Sequence, residues 1–176
     1  MPRRRRAGRA FAIALALAVV AAAAILVIRS RGDDDPELPP DVGVVEWVID
    51  GDTVDIEIAG TEERVRLLGI NTPETHTDTG APECFGREAF AFTRSLLPVG
   101  TEVRLVRDVV GRDDYDRLLA YVFRRDDDLF VNEAIIGGGY ARPLSIGPNA
   151  AYADRFVAAA TAAEAADLGL WGACGG

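Results

Sequence analysis

Residues 42–68 read VGVVEWVIDGDTVDIEIAGTEERVRLL. Two turn signals, Asp50-Gly51 and Ala59-Gly60, divide them into three runs. Val42–Ile49 is dominated by valine, Thr53–Ile58 alternates apolar with polar residues, and Glu63–Leu68 alternates again with Val65 and Leu67 on one face. Alternation with period two makes half-buried strands. The stretch is a three-strand meander, and the rest of the chain must close around it.

Downstream, Asn71 to Gly86 carries two Pro and many small polar residues and reads as a loop. Arg87–Leu97 has helical spacing (Ala89, Phe90, Thr93, Leu96, Leu97) and is closed by Pro98 and Gly100. Glu102–Arg107 and Leu118–Phe123 are two more strands, and Asp126–Asp128 is a tight turn. A short helix over Asn132–Ile136 is halted by Gly137–Gly139, and an Ala-rich helix spans Ala151–Ala166, with Leu170 and Trp171 packing back. Five strands with three helices predict an α+β fold that is mainly β barrel, of the five-stranded OB type. No internal repeat interrupts it.

Upstream, Gly32–Asp41 (GDDDPELPPD) is a charged, Pro-bearing linker (residues 32–41) with nothing to bury. Residues 1–31 differ again: five Arg between Arg3 and Arg9 precede an uncharged run from Phe11 to Ile28. As a helix this run would reach roughly 27 Å, close to a bilayer's hydrocarbon thickness. It is either a cleaved signal peptide, with a site in Ala21–Ala24, or an uncleaved anchor, which the continuation through Ile25–Ile28 favours. The Arg cluster keeps the N-terminus in the cytoplasm, so residues 42–176 form an extracytoplasmic domain, membrane-anchored or secreted.

The chain has 176 residues, 49% of them hydrophobic, enough for one domain with a real core. All 28 Asp and Glu lie beyond residue 32, against only 12 of the 19 Arg, and there is no Lys; the outer part carries a net −16. Such a surface repels nucleic acid in general, so phosphate chemistry requires a local Arg cluster with a bound cation. Cys84 and Cys174 read as one disulfide outside the membrane, tying the loop to the C-terminal tail, or as two buried thiols in a cytosol.

Three segments concentrate hard oxygen ligands and guanidinium groups: Asp50-Gly51-Asp52-Thr53, Arg66 through Glu74, and Arg112 through Arg117. Carboxylate, amide and carbonyl oxygens suit Ca²⁺. Two arginines beside a cation can clamp a phosphate's developing charge, and a free carboxylate can orient or deprotonate water. Taken singly, each segment is equally a good turn, a surface charge or a solvated hairpin tip.

Their order carries more. Val48-Ile-Asp-Gly-Asp-Thr-Val54, Arg66-Leu-Leu-Gly-Ile-Asn-Thr-Pro-Glu74, Tyr115-Asp-Arg-Leu-Leu-Ala-Tyr121 and Val131-Asn-Glu-Ala134 resemble successive blocks of the staphylococcal-nuclease (thermonuclease) family, and Phe85–Thr93 is similar to its first helix. The resemblance spans about residues 42–172. It implies an OB-fold barrel, Ca²⁺ as cofactor, and cleavage of DNA and RNA at the 5′ side of the phosphodiester. By position, Asp52, Asn71 and the Thr72 carbonyl would ligate calcium, Arg66 and Arg117 would bind phosphate, Glu74 would be the general base, and Tyr115 would touch a terminal phosphate. Asn71 stands where the family usually has an aspartate, which predicts weaker calcium binding that neighbouring Asp50 partly makes good. Asp114 replaces a basic residue, Asp116 replaces a glycine, and Pro143–Pro148 lacks base-stacking tyrosines.

Two competing readings are a non-catalytic nucleic-acid-binding module and a Ca²⁺-stabilised surface domain. Asp78-Thr79-Gly80 and His76 read as loop, Trp47 and Trp171 as core or packing residues, and the domain as a monomer.

Overall fold

A computed structural model describes residues 41–77 and 80–174. The signal or anchor segment (1–31), the linker up to residue 40, and Asp78 and Thr79 lie outside the described residues. Among the described residues no helix is long and apolar enough to cross a membrane.

The meander forms as β1 (Val42–Val48), β2 (Thr53–Ile58) and β3 (Thr61–Leu67). After it come β4 (Gly69–Asn71), α1 (Gly86–Leu96), β5 (Glu102–Val106) and β6 (Leu118–Arg124). The chain ends with α2 (Val131–Gly137), β7 (Arg142–Leu144), α3 (Ala153–Ala165) and α4 (Leu170–Ala173). The five long strands close into a barrel in the order β1-β2-β3-β6-β5, with β1 returning to pair with β5. β3 and β6 run parallel, in the register Arg66 to Leu119; the other barrel pairs are antiparallel.

The barrel interior is filled by Val45, Val54, Ile56, Val65, Leu67, Leu105, Leu119 and their neighbours, all buried. Tyr121, Phe130, Tyr152 and Phe156 pack ring against ring where β6 meets α2 and α3. α1 turns Ala89 and Thr93 inward, and Pro98 follows it closely. Asn132 of α2 is buried and fully used: its Oδ1 accepts from the Val122 amide (2.9 Å) and its Nδ2 donates to the Leu68 carbonyl (2.8 Å). This one side chain joins β6 to the end of β3, beside the functional residues that follow.

Three features depart from the sequence reading. Trp47 is 52% exposed and is not a core residue. The β1–β2 register slips between Val45 and Trp47, so Glu46 is an extra residue there. Such a bulge reverses the alternation, sending Trp47 to the outer face while Val45 and Val48 stay inside. A second, two-stranded sheet, β4 with β7, was not expected, nor was α4. Trp171, on α4, is half-buried under the Arg142 guanidinium (4.3 Å), and Leu170 is buried. A disulfide joins Cys84, just before α1, to Cys174 at the end of α4.

Candidate active site

The sharp turn between β1 and β2 sets the first carboxylate of the site. Asp50 Oδ1 accepts from the Asp52 amide (2.9 Å), and the Gly51 carbonyl accepts from the Thr93 hydroxyl of α1 (2.7 Å). A Cβ on Gly51 would fall 2.5 Å from the Thr72 hydroxyl, so only glycine lets the turn lie against the Thr72 strand end. Asp52 is then 6% exposed. Its Oδ2 accepts from the Thr72 amide (2.9 Å) and hydroxyl (3.2 Å) and meets Arg66 Nη2 at 3.0 Å. Its Oδ1 takes only the long contact from the Thr53 hydroxyl (3.3 Å).

Arg66 sits on β3 opposite Thr53, which aims it across the turn at Asp52. It is 5% exposed, with Nη1 donating to the Leu67 (2.6 Å) and Ile70 (2.9 Å) carbonyls and Nη2 to Asn71 Oδ1 (3.3 Å). The structure thus brings Asp52, Arg66, Asn71 and Thr72 into one bonded group. Burial raises the Asp52 carboxyl above its ordinary range against the pull of Arg66, and burial lowers Arg66 against the pull of Asp52.

Glu74 lies just beyond, on the surface. Partial burial raises its carboxyl, and Asp50, Asp52 and Glu83 add to the rise. None of the described residues donates a hydrogen bond to that carboxylate. Its backbone is held instead, by Glu83: the Glu74 amide donates to Glu83 Oε2 (2.9 Å) and the Glu83 amide to the Glu74 carbonyl (2.9 Å).

Arg117 follows a hairpin tip and is fixed by Asp113, whose Oδ2 accepts from Arg117 Nε (2.7 Å) and whose Oδ1 accepts from the Arg117 amide (2.9 Å). Its charge is near enough to Arg66 to lower that group further. Tyr115 is 82% exposed, its ring 5.5 Å from the Arg117 guanidinium. Ile49, Asp50, Thr53, Arg64, Tyr115 and Arg117 line one open groove of about 350 Å³. Asp116, in the glycine position noted above, takes φ +63°, the left-handed region. His76 is exposed and hydrogen-bonds only its neighbour Thr75 (3.1 Å) among the described residues.

The donor set fits a hard divalent cation. The oxygens the structure brings together are the carboxylates of Asp50 and Asp52 and the Asn71 amide, with Glu74 close enough to feel both aspartates. The mutual repulsion of these carboxylates is what a cation would relieve. Among the described residues no three His, Cys, Asp or Glu side chains form a cluster that could hold a metal ion.

Residues 64–173 match the family model described as staphylococcal nuclease homologue. The chain belongs to the staphylococcal nuclease family. It is 37% identical over 128 residues to the thermonuclease of Staphylococcus intermedius, covering 73% of this chain and 74% of that protein. It is 34% identical over 124 residues to the thermonuclease of Staphylococcus hyicus (70% of this chain, 72% of that one). The SPbeta prophage-derived endonuclease YokF of Bacillus subtilis is 34% identical over 125 residues, 70% of this chain and 41% of its own length.

Within this staphylococcal nuclease homologue, sequence reading alone did not single out Asp113, Thr93 or Glu83, which hold Arg117, the Asp50–Thr53 turn and Glu74. Asp113 and Arg117 are four residues apart with opposite charge, a readable signal. Thr93 and Glu83 act on residues 42 and 9 positions away and left none.

Proposed function

We propose that this chain is a Ca²⁺-dependent nuclease hydrolysing DNA and RNA at the 5′ side of the phosphodiester. The observation that carries the reading is the buried Asp52–Arg66–Thr72 group, bonded to exposed Asn71, with Arg117 and Glu74 flanking it. A structural calcium site needs no arginine, and a binding module needs no carboxylate left free of donors. Asp52, Asn71 and the Thr72 carbonyl would hold the cation, with Asp50 adding negative charge beside them. When bound, calcium supplies positive charge against the oxygens of the scissile phosphate.

Four acceptors fix Arg66 in place and occupy both of its Nη groups, so it would meet a phosphate through Nε or by exchanging the Asn71 or Asp52 contact of Nη2. Arg117, fixed by Asp113, approaches from the groove and stabilises the charge that builds in the five-coordinate transition state. Glu74 orients the attacking water and takes its proton as the new phosphorus–oxygen bond forms and the bond on the 5′ side breaks. Partial burial of its carboxyl pushes in the direction of a stronger proton acceptor. Tyr115, exposed on the same groove as Arg117, would meet a terminal phosphate.

The proposed location is outside the cytoplasm, with the N-terminal segment as anchor or signal. The Cys84–Cys174 disulfide suits such an oxidising compartment.

The test is digestion of single- and double-stranded DNA and of RNA by the full chain, with Ca²⁺ and with EGTA, beside Glu74→Gln. Calcium-dependent cleavage lost in the variant supports enzyme, cofactor and base together. A folded, disulfide-bonded chain that binds but does not cut would move the reading to the binding module.

A further inference from the structure

If Glu74 is the base, as proposed above, something must aim it, and its own carboxylate receives no hydrogen bond from any described residue. Its direction is therefore set by its backbone. Among the described residues that backbone has one hydrogen-bond partner, the reciprocal pair of bonds with Glu83, each 2.9 Å. The pair ties the backbone at residue 74 directly to residue 83. Glu83 is in turn tied on its far side: its carbonyl accepts from the Gly86 amide (3.1 Å) at the start of α1. Gly86 packs directly on the Glu74 carbonyl, where any Cβ would collide with it.

The next residue is Cys84, bonded to Cys174. Cys174 caps α4, its amide bound to the Leu170 carbonyl (3.0 Å), and buried Leu170 donates to the Gly139 carbonyl (2.8 Å). An unbroken line of covalent and hydrogen bonds runs from Glu74 through Glu83 and the disulfide to the packed body of the domain. Phe85, between Cys84 and the start of α1, holds a left-handed φ of +70° while its ring packs near Tyr140 (5.4 Å).

We infer that Glu83 is a positioning residue for Glu74 and that the Cys84–Cys174 disulfide is the far anchor of the strap it forms. The Glu74–Glu83 bonds are on the surface, where each adds little to stability. Their consequence is geometric: a reacting group displaced by about 1 Å can lose a hundredfold in rate.

The experiment measures kcat and KM of the full chain on a single-stranded DNA oligonucleotide with Ca²⁺, with folding checked by circular dichroism. Glu83→Ala is expected to lower kcat about 10- to 100-fold with KM changed by less than about threefold. Glu83→Gln, which keeps an acceptor oxygen, recovers most of that loss. Cys84→Ser/Cys174→Ser lowers kcat in the same sense and is an independent test should Glu83→Ala fail to fold. The residual turnover of Glu74→Gln, measured in single-turnover assays at high enzyme concentration, is left unchanged by adding Glu83→Ala, because the group it aims is gone; a purely structural role would cost the same factor in both backgrounds. If Glu74→Gln is inactive while both Glu83→Ala and the double serine variant match wild-type kcat, the strap is overturned and the base assignment stands. If Glu74→Gln itself turns over like wild type, the base assignment falls and the strap with it.

Discussion

Replacing Asp108 should unseat the aromatic cluster that supports the far side of the barrel. Asp108 follows β5 and accepts three hydrogen bonds: from the Val109 amide (2.9 Å), the Tyr121 hydroxyl (2.9 Å) and the Ala151 amide (3.0 Å). The two amides are on the surface and water can replace the carboxylate there. Tyr121 is 1% exposed, and its hydroxyl loses its acceptor in a buried place. A buried donor left without a partner costs about 1–3 kcal/mol, and a bond to a charged acceptor contributes about 1.5–3. Asp108→Ala is expected to lose about 2–3 kcal/mol, read from urea unfolding followed by tryptophan fluorescence. Tyr121→Phe removes donor and need together and should cost less than about 1.5 kcal/mol. The double variant should recover part of the summed loss, a coupling of at least about 0.5 kcal/mol. Additive losses, or an Asp108→Ala loss under about 0.5 kcal/mol, would refute the reasoning. Acid gives a second check. The three donors hold the Asp108 carboxyl below its ordinary value of 3.8, so its contribution is fully present above that pH and fades as pH falls through the lower folded value. Wild type and Asp108→Asn should converge in stability at the acid end and separate above pH 4.

Asn71→Asp restores a carboxylate among the proposed ligands; calcium affinity by titration calorimetry should rise by about tenfold, and no change would remove Asn71 from the ligand set. Asp116→Gly relieves a left-handed backbone and should raise stability by about 0.5–1 kcal/mol, seen as a higher melting temperature; a lower one would mean the Asp116 side chain contributes more than its strain costs. Because residues beyond 32 carry a net −16, cleavage of DNA should first quicken as salt is added from low ionic strength, then slow. A steady fall from the lowest salt upward would mean that Arg66, Arg117 and the cation dominate the local field.

The fold was legible where a pattern ran long enough to repeat. Thr53–Ile58 alternates over six residues and its boundaries match β2. β4 and β7 have three residues each and no period to detect, and they exist because the chain after Leu67 and the chain after Ala141 are brought side by side. Trp47 was misread because a bulge changes the meaning of every later position in a strand while leaving no mark on composition. Asp52, Arg66 and Thr72 come from separate motif blocks, and the structure brings them together because the turn and the β2–β3 register bury them against one another. Glu83 was missed because its work is done through a backbone amide, which any residue at position 74 would offer.

The barrel's order, β1-β2-β3-β6-β5, sets a condition on synthesis. β3 and β5 are each completed by β6, whose residues 118–124 emerge some fifty residues after β3. A nascent or truncated chain ending before residue 118 can form the meander and its pairing with β5, yet it leaves two strands with open edges. Such edges recruit other chains. A single late strand therefore converts an aggregation-prone sheet into a closed surface, and fragments cut between Arg107 and Leu118 should be far less soluble than the whole chain.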